Sequence, residues 1–312
     1  MAAAFLRTPF LSATVPAISP NTKAITPIQK NRVFSSDTAA PAIDRPIEAV
    51  AESRVHSPRG SEASGATPRT IGAPVRPILA RMHFVLVHGA YHGAWCWDAL
   101  RQELDADGHS SSAVDLPCED PDAGAERYAD EVLASVPKTA DGVVLVGHSL
   151  AGLTLPIVAG RTRTVMTIYL CALLPVPGLS FDAQHADTNT TFKPSEPPVG
   201  HPDGSSSWPE GGAVEIFYQD CDPTVAMASA RKLRRQHWRV TQEVTPLRLW
   251  PAVPAAYILC AGDRAISRAY SSRTARELLG VEAIEMPGGH SPFLSRPTEL
   301  ATQLAMLAGQ AP

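Results

Sequence analysis

The stretch that most constrains this chain is VVLVGHSLAG at 143–152. Its apolar, β-forming start reads as a strand buried on both faces, and the small residues around Ser149 mark a sharp turn into a helix. On such a turn the serine hydroxyl is pushed clear of the backbone, and the N-terminus of the next helix favours negative charge developing beside it. A nucleophilic serine needs that geometry. The pattern G-x-S-x-G is met as G-H-S-L-A, with Ala151 at the last glycine position and Gly152 just after. Alanine is small enough for the turn to survive.

The surrounding pattern supplies the scaffold. From His83 onward, apolar runs alternate with helical patterns: HFVLVH, a helix through about 91–107, SSAVDL, a helix near 124–136, and DGVVLVG. After a helix from Ser149 come strands TVMTIYL (164–170) and AAYILCA (255–261), a helix near 268–279, strand VEAIEM and a last helix from about 291. This alternation predicts an α/β fold, a six-stranded mostly parallel sheet flanked by helices. Between about 172 and 250 the rhythm breaks: a Pro/Gly/Ser-rich stretch leads into helical segments AVEIFYQD and TVAMASARKLRRQH, an insertion long enough to be a mainly helical cap. The basic cluster RKLRRQHWR at 231–239 reads as a polar helix face.

A serine nucleophile needs a base, an acid and an oxyanion hole. IEMPGGHSPF at 284–293 places His290 after the last strand behind a flexible Pro-Gly-Gly turn. YILCAGDRAIS places Asp263 just beyond a strand, 27 residues earlier, where it can fix the imidazole tautomer or cap a helix. In HFVLVHGAYHGAW at 83–95 a strand ends in His-Gly and a loop of small residues, which assigns the Ala90 amide to the oxyanion hole, with the Leu150 amide as its partner. His88 and His92 are four apart, but the intervening glycine and the missing HExxH argue against metal. Neither a metal nor a cofactor is expected.

Five blocks, VLVHGAYHGAWCWD, GHSLAG, FYQDCDP, AGDRAIS and GGHSPFLSRP, in that order, make residues 82–310 resemble the plant methylesterase and hydroxynitrile lyase group of α/β-hydrolases and its bacterial esterase relatives. The resemblance implies the α/β-hydrolase fold and cofactor-free ester hydrolysis through an acyl-serine intermediate. The lyases carry threonine and lysine where this chain has Gly89 and Ser291, and relatives with dehalogenase or epoxide hydrolase activity carry aspartate where it has Ser149. The expected substrate is a small-to-medium hydrophobic carboxylic ester, with Trp95, Leu173, Trp208 and Phe217 as candidate pocket lining. The competing class is a ligand-binding member of the fold with little turnover.

Composition limits the rest. A net charge of −4 offers no basic footprint for nucleic acid, and no apolar run is long enough to span a membrane. Five cysteines without CxxC spacing suggest neither disulfides nor zinc and suit a reducing, cytoplasmic compartment. Residues 1–81, rich in Pro, Ser, Thr and Ala, read as a disordered extension. Its first acidic residue is Asp37, after Arg7, Lys23, Lys30 and Arg32, which resembles a transit peptide for a plastid or mitochondrion. Met82, directly before the first strand, supports the other reading, a non-functional extension ahead of a hydrolase domain over 82–312. Oligomeric state has no signature here.

Overall fold

Apolar runs become strands wherever both of their faces can be covered. In the computed structural model, which describes residues 81–138, 140–184 and 192–310, the chain opens with β1 (His83–Val87), α1 (Asp98–Ala106), β2 (Ser110–Val114), α2 (Ala125–Ser135) and β3 (Val143–His148). It continues through α3 (Leu155–Ala159), β4 (Thr164–Leu170), α4 (Phe181–Gln184), β5 (Val199–Gly200) and β6 (Ser206–Ser207). Then follow α5 (Glu210–Phe217), α6 (Pro223–Ala230), α7 (Arg239–Gln242), β7 (Ala255–Cys260), α8 (Arg268–Thr274), β8 (Ile284–Met286), α9 (Pro292–Ser295) and α10 (Pro297–Ala308). The extension expected over 1–81 lies, but for Arg81, outside the described residues.

Six strands form one parallel sheet in the order β2-β1-β3-β4-β7-β8. β3 is central and buried throughout, whereas the serine-rich β2 sits half-buried at the edge. Alternation sends Val85, Val87, Val143 and Leu145 into one apolar layer and Phe84, Leu86, Val144 and Val146 into the other. From β1 the chain steps outward to β2 and returns to the other side of β1 as β3. The loops after β1 and β3 therefore diverge at this reversal, where parallel α/β sheets open a crevice at their carboxyl ends.

Several helices are shorter than their patterns predict. The first begins as a single tight turn at Ala94–Trp97. The one after β3 is tight over Ser149–Leu153, with Pro156 in the first turn of α3. Arg296, before Pro297, separates α9 from α10, because a residue ahead of proline disfavours helical backbone. β8 keeps only the end of VEAIEM.

The larger departure is at 231–239, which is not a polar helix face. α6 stops at Ala230, and the following backbone finds partners elsewhere. The Arg234 amide donates to the Tyr91 carbonyl at 2.7 Å, and Gln236 exchanges backbone hydrogen bonds with Ser206 at 3.0 Å. Gln236 and His237 are buried, and Arg234 is half-buried with Glu119. Tertiary hydrogen bonds have replaced helical ones.

The described residues between β4 and β7, 171–184 and 192–254, form the cap. Its apolar cluster gathers Ala213, Ile216, Phe217, Tyr218, Ala226 and Ala230 around Tyr91. Among the described residues no helix is long and apolar enough to cross a membrane. All five cysteines are free, and all but Cys221 are buried.

Candidate active site

The turn after β3 puts Ser149 in the left-handed region at φ 52°, a conformation that non-glycine residues rarely adopt. The neighbouring backbones make room for it. A Cβ on Gly89 would stand 2.8 Å from the Ser149 Cβ, and one on Gly152 would run into the Leu173 carbonyl oxygen. The close approach therefore falls on Gly152, while Ala151, at the motif's last glycine position, is simply buried.

His290 follows β8, and its Nδ1–H donates to Asp263 Oδ2 at 2.9 Å with both side chains nearly inaccessible. That bond leaves Nε2 as the basic nitrogen. Asp263 Oδ1 accepts from the Ala265 and Ile266 amides at 2.8 and 2.9 Å, so one carboxylate both caps the turn and holds the imidazole. The loops are tied together, Gly262 N–H to the Gly288 carbonyl at 2.8 Å. His148 Nε2–H donates to the His290 carbonyl at 2.9 Å and fixes that backbone from the side of Ser149.

Ser149 and His290 line one cavity of about 140 Å³ with Ala90, Leu150, Leu173, Phe217 and, among others, Trp238. Larger hollows lie elsewhere, at the opposite end of the sheet beside His83 and Gly142 and along Thr245–Arg248, away from these side chains. The cavity thus joins Ser149, the expected base His290, both residues assigned to the oxyanion hole, and two of the four candidate lining residues. Trp95 and Trp208 stand behind it. The Trp95 ring stacks at 5.8 Å on His92 beneath the Lys232 ammonium, and Trp208 packs at 5.3 Å on Phe217. Tyr91, His92, His148, Trp238 and Ala265 complete the lining without having been singled out for it. His148 adjoins the serine in sequence, but Trp238 lay within the basic cluster and had no local signal.

Three buried histidines around the serine are neutral. Burial pulls His88 down to about 4, His92 to about 3 and His148 well below its usual value. Both nitrogens of His88 are engaged, Nδ1 with the Gly89 carbonyl at 2.7 Å and Nε2 with the Leu116 amide at 3.0 Å. Those of His92 are engaged as well, with Ala90 and Tyr218, which leaves neither histidine a lone pair for a metal. Cys171, at φ 45°, brings its sulfur within 4.8 Å of Asp263 and His290. The adjacent Cys260 thiol and burial raise its pKa well above the ordinary value, so it stays protonated beside Asp263.

Residues 84–303 match the model of the alpha/beta hydrolase family. The chain is 27% identical to Methylesterase 3 of Arabidopsis thaliana over 262 residues, 74% of this chain and 97% of the relative. It is equally 27% identical to the Alpha-hydroxynitrile lyase of the same plant over 257 residues, 72% of this chain and 96% of that one. Among solved structures, a methylesterase from Arabidopsis superposes with a TM-score of 0.58 at 26% identity, covering 72% of this chain and 98% of its own. Polyneuridine aldehyde esterase superposes with 0.61 at 23% identity, covering 73% and 99%, and supports the fold. The chain belongs to the alpha/beta hydrolase family.

Proposed function

We propose that the protein hydrolyses a small-to-medium hydrophobic carboxylic ester through an acyl-serine intermediate, with Ser149 as nucleophile, His290 as base and Asp263 as the acid that orients it. The observation that carries this reading is the His290–Asp263 hydrogen bond opening onto the same apolar cavity as Ser149. His290 Nε2 takes the Ser149 proton as the hydroxyl attacks the ester carbonyl. The oxyanion meets the Ala90 and Leu150 amides, the alcohol leaves with the proton held by His290, and water repeats the sequence on the acyl-enzyme.

Cavity size narrows the substrate. A dry apolar cavity of roughly 150 Å³ accommodates benzene, and this one is of similar volume and walled by Leu150, Leu173, Phe217 and Trp238. One arm of the ester therefore has the bulk of a single ring or less, and the other reaches out past the cap. Methyl esters of hydrophobic acids fit this division and match the names of the methylesterase relatives.

Fluorophosphonate labelling with mass-spectrometric mapping tests the reading, followed by turnover of a panel of methyl and aryl esters. The expected adduct is on Ser149 and depends on His290. A folded protein that takes no label, or that binds esters saturably and releases no acid, is a binding protein instead.

A further inference from the structure

The block FYQDCDP at 217–223 marked the family resemblance without any chemical role attached to it. Phe217 lines the cavity, and Asp222 starts α6 by accepting from the Thr224 and Val225 amides at 2.8 and 3.3 Å, with Pro223 in the first turn. Of the four residues between them, at the turn joining α5 to α6, the first three, Tyr218, Gln219 and Asp220, each reach a different loop of the site.

The Tyr218 hydroxyl donates to His92 Nε2 at 2.8 Å, and His92 Nδ1–H donates to the Ala90 carbonyl at 2.8 Å. The direction is fixed because a carbonyl only accepts. Gln219 Nε2–H donates to the Gly262 carbonyl at 2.8 Å, immediately before Asp263. Asp220 Oδ2 accepts the Gly289 amide at 2.8 Å, immediately before His290. Gly289 is a glycine for this reason, since a Cβ there would collide with the Gln219 amide and stand 2.6 Å from Asp220 Oδ1. The turn is itself stiff, ended on one side by the α5 terminus and pinned by the Cys221 amide to the Tyr218 carbonyl at 3.0 Å.

We infer that Tyr218, Gln219 and Asp220 are positioning residues through which the cap sets the mutual spacing of the oxyanion loop, the acid loop and the base loop. These loops leave β1, β7 and β8; the last two strands are neighbours and their loops are already tied, but β3 and β4 separate them from β1, so the sheet alone does not fix how the oxyanion loop meets the other two. A turn of three consecutive residues does, because its backbone holds three polar groups at fixed separations. The cap is then part of the catalytic geometry as well as its roof. This inference rests on the proposed roles of Ser149, His290 and Asp263.

Tyr218→Phe removes one hydroxyl and keeps the ring. In the full-length protein, on an ester the wild type hydrolyses, we expect kcat to fall about 10-fold with KM within twofold, as suits the loss of one buried hydrogen bond to the oxyanion loop. A trifluoromethyl ketone, whose tetrahedral adduct needs that loop, should lose affinity by the same factor, and the product acid should bind as before. A turn that only folds the cap would instead raise KM for substrate and weaken product binding together. His92→Asn, which keeps an N–H near the position of Nδ1, should retain most of the activity that His92→Leu loses. Should Tyr218→Phe prove unstable, Asp220→Asn against Asp220→Ala provides the second comparison, since only the first preserves an oxygen for the Gly289 amide. Wild-type kcat in Tyr218→Phe, a loss confined to KM, or equal behaviour of the paired variants overturns the inference. Failure of the wild type to label at Ser149 overturns the catalytic reading instead.

Discussion

The sheet and the cap are held by different forces. Along β1 and β3 every side chain from Phe84 to Val87 and from Val143 to Val146 is almost wholly buried, and burial of that kind contributes roughly 25 cal/mol per Å² with no demand on direction. The base of the cap shares the sheet's burial, since Leu173, Leu174, Val240 and Leu247 join its apolar layer, but the α5–α6 part buries only a small separate cluster around Tyr91. Directed hydrogen bonds such as Tyr91 N–H to Gln236, Gln219 to Gly262 and Gly289 N–H to Asp220 tie the cap to the loops below it. Burial fixes where the sheet is, and hydrogen bonds fix how the α5–α6 part of the cap meets the loops of the site. Each force can be removed separately.

The largest effect belongs to the sheet side. Ser149→Ala should lower turnover by about 10⁴- to 10⁶-fold, as loss of a triad member does, while leaving thermal unfolding unchanged. Steady-state kinetics and calorimetry on one preparation check both halves. Retention of a tenth of wild-type activity would remove the serine from the mechanism.

Next comes the joint between the regions. The Tyr91 ring lies 5.6 Å from Trp238 and 6.3 Å from both Trp208 and Phe217, and its hydroxyl hydrogen-bonds Ser206 Oγ at 2.9 Å. Its φ of 66° adds strain that those partners, together with the backbone bonds to Arg234 and Gln236, hold in place. Tyr91→Ala should cost about 3–5 kcal/mol, the range for truncating a buried aromatic, and the loss should be local. Amide exchange should quicken across α5 and α6 and stay slow in β1 and β3. Uniform acceleration over sheet and cap would show that the two unfold as one unit and that the contrast drawn above is false.

How far this division was legible follows from the same physics. Apolar runs and sharp turns are local, so β3, Ser149, His290 and the parallel sheet could be read directly. Asp263 was legible through its distance from a strand end, and the structure joins both readings of it, cap and imidazole partner, in one carboxylate. The aromatic candidates divided, with Phe217 facing the cavity, Trp208 packed on Phe217, and Trp95 stacked on His92 outside the lining. No local rule separates the three. The 231–239 segment misled for the opposite reason. Its composition suits a helix, but the partners that unwind it, Tyr91 and Ser206, are remote in sequence.

Acid should attack the boundary between sheet and cap, where the buried neutral histidines stand. His88 and His92 titrate near 4 and 3 when folded and near 6.5 when exposed. The unfolded chain therefore binds more protons between those limits. Stability is fully present above pH 6.5 and is lost as pH falls toward the folded values, by up to about 1.4 kcal/mol per pH unit for each histidine. Urea midpoints from pH 7 down to pH 5 measure the slope. His92→Asn should take one proton out of it, and an unchanged slope would mean that His92 is protonated in the folded state.

The smallest effect is the most specific about the elbow. If Gly152 absorbs the close approach of the Leu173 carbonyl, the residue one position earlier is free of the glycine requirement that the G-x-S-x-G pattern would place on it. Ala151→Gly should then leave kcat and KM within twofold, because the φ of Ser149 and the Leu150 amide are fixed by Gly89, Gly152 and the Ser149 carbonyl bond to the Leu173 amide at 2.9 Å. Stability should fall by about 1 kcal/mol, the combined cost of a lost buried methyl and a looser backbone. A rise in kcat of several fold on restoring glycine would show instead that the alanine methyl strains the turn, and that this chain carries a handicapped nucleophile.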